Sequence, residues 1–96
     1  MSKIKTYLLL VNPYSGDKQG IEISKKALSI LKSNSIIPDI MYTDYQGHAK
    51  KICKELQYNQ YSDLLIIGGD GTFSEVINGI LSRDDQYSPC FVLCNP

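Results

Sequence analysis

Apolar residues along the chain fall into short runs that alternate with longer amphipathic segments. Most of the runs are unbroken by polar residues, which is typical of strands buried on both faces of a parallel sheet. Asn12-Pro13 ends the first run, and Pro38 separates the first amphipathic segment from the second run. The predicted strands cover residues 6–11, 39–43, 64–67 and 90–94.

The amphipathic segments repeat apolar residues at helical spacing. Ile23, Ala27, Ile30 and Leu31 stand at i, i+4, i+7 and i+8, while the charged residues of the segment, Glu22, Lys25, Lys26 and Lys32, fall at other positions. Two later stripes, one starting at Ala49 and one after the glycines at 68–71, have similar spacing. The predicted helices cover residues 20–34 and 48–57 and the segment that directly follows those glycines.

The order of elements, β-α-β-α-β-α-β, indicates the fold class. Every connection between strands is too long for a hairpin, so the strands are expected to run parallel with helices packed on the sheet. The sequence therefore predicts an α/β fold. No repeat, low-complexity tract or linker divides the 96 residues, so we expect a single unit without an internal boundary.

The amino-acid composition excludes several classes of partner and site but does not indicate a function. Ten basic and ten acidic residues cancel, which argues against nucleic acid or a strongly anionic membrane surface as a partner. The N-terminus has two lysines and then only about five apolar residues, too few for a signal peptide or a membrane span, so a cytoplasmic protein is expected. Cys53, Cys90 and Cys94 lack the spacing of a zinc site, and we expect three buried free thiols.

A glycine turn between the third strand and the third helix is the main candidate for chemistry. Gly68-Gly69-Asp70-Gly71-Thr72 lets the backbone approach a ligand, and the helix that follows offers unpaired N–H groups, so an anion such as phosphate is the natural guest. The Asp70 carboxylate would repel phosphate unless a cation lies between them, which suggests Mg²⁺. Thr72 is expected to cap the helix, with Glu75 as in a capping box, or to donate to a phosphate.

Two other interpretations of the glycine turn stay open at this point. Glycine and aspartate also dominate simple tight turns. The segment nearly matches the dinucleotide fingerprint G-x-G-x-x-G, but Ser74 stands at the last position and no acidic residue follows at the expected distance.

A second polar turn, "NPYSGD" at 12–17, also follows a strand and precedes a helix. Because parallel strands end at one edge of the sheet, the two turns should meet there, unless this one is an ordinary Asn-Pro turn. His48 is expected to cap or pack rather than to act as an acid or base. Tyr42 and Tyr45 flank Thr43 and either line a pocket for a base or pack at its rim.

Three motifs in order resemble one enzyme family. They are "VNPYSG" at 11–16, T-x4-HA formed by Thr43, His48 and Ala49, and "GGDGTFSEVINGI" at 68–80. Together they resemble the catalytic domain of diacylglycerol kinases, sphingosine and ceramide kinases and bacterial YegS-type lipid kinases. GGDGT alone is shared with NAD kinases, so the fold implied is the Rossmann-like NAD kinase/diacylglycerol kinase type.

The resemblance implies a lipid kinase that uses ATP and Mg²⁺, with this chain supplying the nucleotide-binding subdomain. Asp70 is then expected to act in catalysis by binding Mg²⁺ through water. The cofactor-binding residues that it implies are Asn12, Pro13, Tyr14, Ser15, Gly16, Thr43, Gly69, Asp70, Gly71, Thr72, Phe73, Ser74 and Glu75.

The sequence also departs from the family. In relatives the fourth strand runs into a Pro-x-Gly-Thr-x-Asn-Asp-like loop, which should begin at Asn95-Pro96, and a β-rich second domain carries the general base and the lipid site. We therefore expect the 96 residues alone to be inactive, with the lipid bound through the second domain, peripheral membrane contact in the full-length protein, and self-association at the open sheet edge. The alternatives are an NAD kinase-like enzyme and a non-catalytic nucleotide-binding or interaction module.

Overall fold

The computed structural model describes residues 5–94, apart from the side chains of residues 16 and 17. Its strands form one four-stranded sheet in the order β2-β1-β3-β4, and every neighbouring pair is parallel. The α/β fold with a parallel sheet is therefore confirmed. The strands are β1 (Tyr7–Val11), β2 (Asp39–Tyr42), β3 (Asp63–Ile67) and β4 (Cys90–Cys94).

Four helices connect or follow these strands: α1 (Ser15–Lys18), α2 (Gly20–Ser33), α3 (His48–Glu55) and α4 (Asp70–Leu81). The apolar spacing predicted the last three. The single turn α1 was not predicted, because Ser-Gly-Asp-Lys contains no apolar stripe. Within residues 5–94, no helix combines the length and the apolar character that crossing a bilayer requires.

Alternate residues of the central strands face opposite sides of the sheet. Leu8 and Leu10 of β1 belong to a core cluster on the side of α3 and α4, together with Cys53 and Val76. Leu9 belongs to a second cluster on the side of α2. Since β1 and β3 are covered on both faces, their sequences are almost entirely apolar, with Asp63 at the start of β3 as the exception.

The helices α3 and α4 pack closely because α4 has a glycine where they meet. A Cβ atom placed on Gly79 would lie 2.5 Å from the carbonyl oxygen of Lys50 and 2.9 Å from the Cβ of Cys53. The absence of a side chain at Gly79 therefore sets how near the two helices lie.

The polar turn between α4 and β4 is fastened to the end of α3 by Arg83. Its Nη1 donates to the carbonyl oxygens of Cys53 (2.9 Å) and Lys54 (3.2 Å), and its Nε and Nη2 donate to the Asp85 carboxylate at 2.8 and 2.7 Å. The guanidinium carbon also lies 4.9 Å from the centre of the Tyr87 ring. Cationic donors at the last carbonyls of a helix stabilise it, so Arg83 both stabilises the end of α3 and holds the turn against it.

The expectation of three buried thiols is right for Cys53 and wrong for the other two. All three thiols are free, but Cys90 is exposed and Cys94 is half-buried. Both lie on β4, an edge strand with a partly exposed outer face, where neighbouring Val92 is also exposed. Burial raises the pKa of the Cys53 thiol to about 12, although the charge of Arg83 opposes this rise.

Candidate functional site

A cavity of about 420 Å³ lies at the carboxyl edge of the sheet. Open α/β sheets bind their ligands at this edge, where the loops after neighbouring strands converge. Three segments that are distant in sequence form its walls. They contribute Asn12, Tyr14 and Ser15 after β1; Thr43, Tyr45, Gln46 and Ala49 after β2; and Gly69, Gly71, Thr72 and Glu75 after β3.

The third wall is the N-terminus of α4. The first amide of this region with a helical partner is that of Phe73, which donates to the carbonyl oxygen of Gly69 at 3.1 Å. The amides of residues 70–72 therefore have no acceptor inside the helix. They also carry the positive end of the helix dipole, so this wall is suited to an anion.

The glycines of this turn differ in what surrounds them. A Cβ on Gly68 would lie 2.7 Å from the Cβ and Oγ1 of Thr72, so packing excludes a side chain there. A Cβ on Gly69 or Gly71 would meet nothing within 4 Å, and neither residue has a positive φ. Neither packing nor backbone conformation requires glycine at these two positions, which leaves open space in front of a wall suited to an anion.

Asn12 joins the two turns that the sequence predicted would meet. Its Nδ2 donates to Thr72 Oγ1 at 3.0 Å, and its backbone N–H donates to the carbonyl oxygen of Ile67 at 2.8 Å. Its Oδ1 accepts the backbone N–H of Tyr14 at 3.0 Å. The loop after β1 is thereby held against the first turn of α4.

The capping box predicted for Thr72 and Glu75 is wrong. The N-cap residue of α4 is Gly69, without a side-chain capping bond, and the helix begins at Asp70. Thr72 therefore lies within the first turn, where its Oγ1 accepts from Asn12. Its hydroxyl proton is still available to donate to a ligand.

The wall after β2 begins with Thr43, whose backbone N–H donates to the carbonyl oxygen of Val11 at 2.9 Å. Thr43 is only 6% exposed, and within residues 5–94 its hydroxyl makes no hydrogen bond. In that same part of the chain every fully buried polar side-chain atom has a partner. The Thr43 hydroxyl is therefore accessible, and the open space next to it is the cavity.

His48 has the packing role expected at the start of α3. Its Nδ1 accepts the backbone N–H of Asp44 at 2.9 Å, and its ring stacks on Tyr45 with centroids 4.5 Å apart. Tyr45 lines the cavity, whereas the exposed ring of Tyr42 is not part of its walls.

Asp70 is the first residue of α4 and is exposed. The cavity is lined by its neighbours Gly69 and Gly71 but not by Asp70, so Asp70 is a residue of the rim, next to two wall residues without being one itself. Phe73 and Ser74, three and four residues after Asp70, are not in the cavity walls either. Phe73 packs edge-on against the Phe91 ring in the core, and Ser74 Oγ accepts from Asn78 Nδ2.

The cavity thus brings together most of the residues predicted for the site. Pro13, Asp70, Phe73 and Ser74 are not in its walls, and the prediction for Gly16 lies outside the described side chains. Three wall residues, Tyr45, Gln46 and Ala49, were missing from the predicted set of cofactor-binding residues, although the position of Tyr45 near Thr43 indicated that it lines a base pocket or packs at its rim. Ala49 belongs to a quoted motif that could have indicated it, while Gln46 carries no signal in the sequence.

The carboxylates near the cavity are too few to bind Mg²⁺ alone, but they suit an Mg²⁺ ion that is also coordinated by phosphate. Among the described residues, no three or more His, Cys, Asp or Glu side chains are grouped so that they could hold a metal ion. Mg²⁺ is commonly bound by one or two carboxylates together with waters and substrate phosphates. Asp70 at the rim and Glu75 in the wall meet that more modest requirement.

Known proteins are similar to this chain over nearly all of its length. The family model of the diacylglycerol kinase catalytic domain matches residues 6–93. Ceramide kinase of Homo sapiens is 35% identical over 99 aligned positions, which cover 96% of this chain and 18% of that protein. Sphingoid long chain base kinase 4 of Schizosaccharomyces pombe is 34% identical over 94 positions, covering 97% of this chain and 20% of that protein.

A solved structure of a putative diacylglycerol kinase from Bacillus anthracis str. Sterne superposes with a TM-score of 0.78 and 25% sequence identity. The superposition covers 99% of this chain and 32% of that structure. The chain therefore spans about a fifth of the length of the two curated relatives and about a third of the solved structure.

Proposed function

Because this chain belongs to the family of the diacylglycerol kinase catalytic domain, we propose that it forms the ATP-binding part of a lipid kinase. The single observation that supports this most strongly is the open N-terminus of α4, which faces a cavity shared with the loops after β1 and β2. The reaction proposed for the whole enzyme is transfer of the γ-phosphoryl group of ATP to a lipid hydroxyl.

The phosphates are proposed to lie against the first turn of α4. The amides of residues 70–72 donate to phosphate oxygens, and the bare backbone at Gly69 and Gly71 allows close contact. The Thr72 hydroxyl adds a donor whose position is fixed by Asn12. Phosphoryl transfer depends mainly on positioning and on stabilising negative charge, and these groups supply both.

Mg²⁺, when bound, would neutralise the phosphate charge that the Asp70 carboxylate otherwise repels. Asp70 would hold it through water from the rim, and Glu75 is the acidic residue in the wall. With Asp70 at the first turn of α4, the carboxylate also interacts favourably with the helix dipole.

The lipid acceptor is proposed to be of the diacylglycerol or sphingoid-base type. The support is the names of the relatives, a ceramide kinase and a sphingoid long chain base kinase. Lipid binding and deprotonation of the lipid hydroxyl are assigned to the part of those kinases that this chain does not match. We therefore propose that the 96 residues bind ATP without phosphorylating lipid.

Calorimetric titration with ATP, with and without Mg²⁺, tests the proposal. We expect saturable binding that Mg²⁺ strengthens, and an Asp70→Asn variant in which the effect of Mg²⁺ is largely lost. Asp84→Asn is the matched control, because Asp84 is an exposed carboxylate on the turn beyond the far end of α4. It should titrate like the unsubstituted chain.

Two results would count against this function. A folded chain that takes up no ATP would contradict the assignment of the cavity. Binding of NAD as tight as that of ATP would instead support an NAD kinase-like enzyme.

A further inference from the structure

Tyr45 and His48 form a stacked pair at the edge of the cavity. Their ring centroids are 4.5 Å apart and their planes differ by 13°. Tyr45 remains 55% exposed even so, while the His48 side chain is 20% exposed. Tyr45 lines the cavity, whereas His48, which is stacked on the Tyr45 ring, does not.

The loop around this pair fixes the Tyr45 ring before any ligand arrives. The backbone N–H of His48 donates to the carbonyl oxygen of Tyr45 at 3.1 Å, which closes a turn. Gly47 within this turn has a φ of +95°, a left-handed conformation that L side chains rarely adopt. The imidazole is itself held by the Asp44 N–H. An aromatic ring held in this way loses little conformational entropy when a ligand packs on it.

The sheet order places this ring away from the phosphate-binding wall. Tyr45 follows β2 and the N-terminus of α4 follows β3, with β1 between them. Neighbouring strands lie about 4.8 Å apart, so the two walls are separated by roughly 10 Å. A triphosphate at α4 would leave the ribose and base to extend towards the β2 side.

We propose that Tyr45 is the platform on which the nucleobase stacks, and that His48 is the positioning residue that holds it. The proposal rests on the proposed function, since it assumes a nucleotide in this cavity. Stacking on an aromatic side chain tolerates different bases, because every base has a π-face. The platform therefore contributes affinity for the nucleoside end of the ligand and none for its phosphates.

The test compares ATP with inorganic tripolyphosphate, each titrated calorimetrically in the presence of Mg²⁺. Tyr45→Leu should weaken ATP binding by about 10-fold or more, the typical effect of removing one base-stacking ring. Its affinity for tripolyphosphate should be unchanged, and Tyr45→Phe, which retains the ring, should bind ATP normally.

Tyr58→Leu is the matched control. Tyr58 has a similar exposure of 57% but follows the other end of α3, outside the cavity walls. Its substitution should change neither titration. For the positioning role, His48→Leu should lose part of the ATP affinity, whereas His48→Phe should keep it because the stack is preserved.

Each remaining outcome has a definite meaning. Full ATP affinity in Tyr45→Leu, or an equal loss for ATP and tripolyphosphate, would overturn the platform. If the folded, unsubstituted chain binds neither ligand, the proposed function itself fails and the platform fails with it. Binding of tripolyphosphate without any preference for ATP would overturn the platform alone.

Discussion

Gly68 and Gly71 lack side chains for different physical reasons. A methyl group on Gly68 would collide with Thr72, whose hydroxyl accepts from Asn12. A methyl group on Gly71 would enter open space in front of the first amides of α4. Packing therefore excludes a side chain at Gly68, whereas neither packing nor a positive φ requires glycine at position 71, which the proposed phosphate site would explain.

Arg83 is the residue whose importance the sequence did not indicate. Its side chain is 5% exposed and joins the end of α3 to the Asp85 carboxylate and the Tyr87 ring. An arginine in a polar stretch normally lies in solvent, and only the packing of α3 beside the turn makes it structural. The hydrogen bonds from Arg83 lower the pKa of the Asp85 carboxyl, and the pKa of Arg83 is raised in return.

The lowered pKa of Asp85 gives a pH dependence of stability with a defined sign. Because the carboxyl has a lower pKa in the folded chain, its contribution is complete above the ordinary aspartate value of about 3.9 and is lost as the pH falls through the folded value. Asp85→Asn should therefore unfold more easily than the unsubstituted chain at pH 7, with the difference shrinking below about pH 4. Urea unfolding across this pH range measures it.

Asp84→Asn serves as the control for this prediction, since Asp84 is exposed and makes no ion pair within the described residues. It should show no comparable change with pH. A gap between Asp85→Asn and the unsubstituted chain that stays constant down to pH 2 would contradict the role of the Arg83–Asp85 pair.

At the scale of elements, the pairing of α3 with α4 shapes the cavity. Ala49 on α3 and Thr72 and Glu75 on α4 all line it, so the distance between the helices sets the distance between two of its walls. Gly79 lets α4 lie against Lys50 and Cys53 of α3, where a side chain would collide with them.

Substitution of Gly79 by alanine tests this packing. The added Cβ would press on the carbonyl oxygen of Lys50, and such overpacking typically costs about 1–3 kcal/mol. The gain in helix propensity from glycine to alanine offsets at most about 1 kcal/mol. We expect Gly79→Ala to lower the free energy of unfolding and to weaken ATP binding, as measured by urea unfolding and calorimetry. An unchanged free energy of unfolding would contradict the account.

Most helices and strands could be predicted because their apolar residues recur with a clear period. In the helices, the apolar face is also well separated from the polar face. The structure confirms the four strands and the three longer helices, with ends that differ by at most a few residues. The failures are local. Neither the turn α1 nor the start of α4 at Asp70 has a periodic signal, and the cap at Gly69 relies on no side chain.

At the scale of the whole molecule, the site is a consequence of the sheet topology. A parallel sheet predicts that the turns after β1 and β3 meet at one edge. The hydrogen bond from Asn12 to Thr72 joins these two turns. The strand order β2-β1-β3-β4 cannot be read from the sequence. This order places the loop after β2 on the other side of β1 from the N-terminus of α4, so the loop forms the opposite wall of the cavity. Gln46 lies in this loop and lines the cavity, although it occupies one of the unspecified positions of the T-x4-HA motif and no apolar period or turn signal marks it.

The three ordered motifs carried more information than any one of them. GGDGT alone left a tight turn, a dinucleotide fold and two kinds of kinase open. Together with the turn at 12–17 and Thr43, His48 and Ala49, it predicted the family that the match over residues 6–93 confirms. The lipid acceptor could not be predicted, because no residue of the cavity walls has a chemical character that selects one lipid.

The central claim is that the open backbone at Gly71 exists for the phosphates of ATP. The most direct measurement is the calorimetric titration of Gly71→Ala with ATP and Mg²⁺, on a variant whose unfolding has also been measured. Alanine favours a helix over glycine, so the free energy of unfolding should be equal or higher.

ATP affinity should fall by about 10-fold or more, since losing one hydrogen bond to a charged phosphate costs about 1.5–3 kcal/mol. A stable Gly71→Ala variant with weakened ATP binding is the result we predict. A stable variant that binds ATP as tightly as the unsubstituted chain would contradict the assignment of this turn to the phosphates.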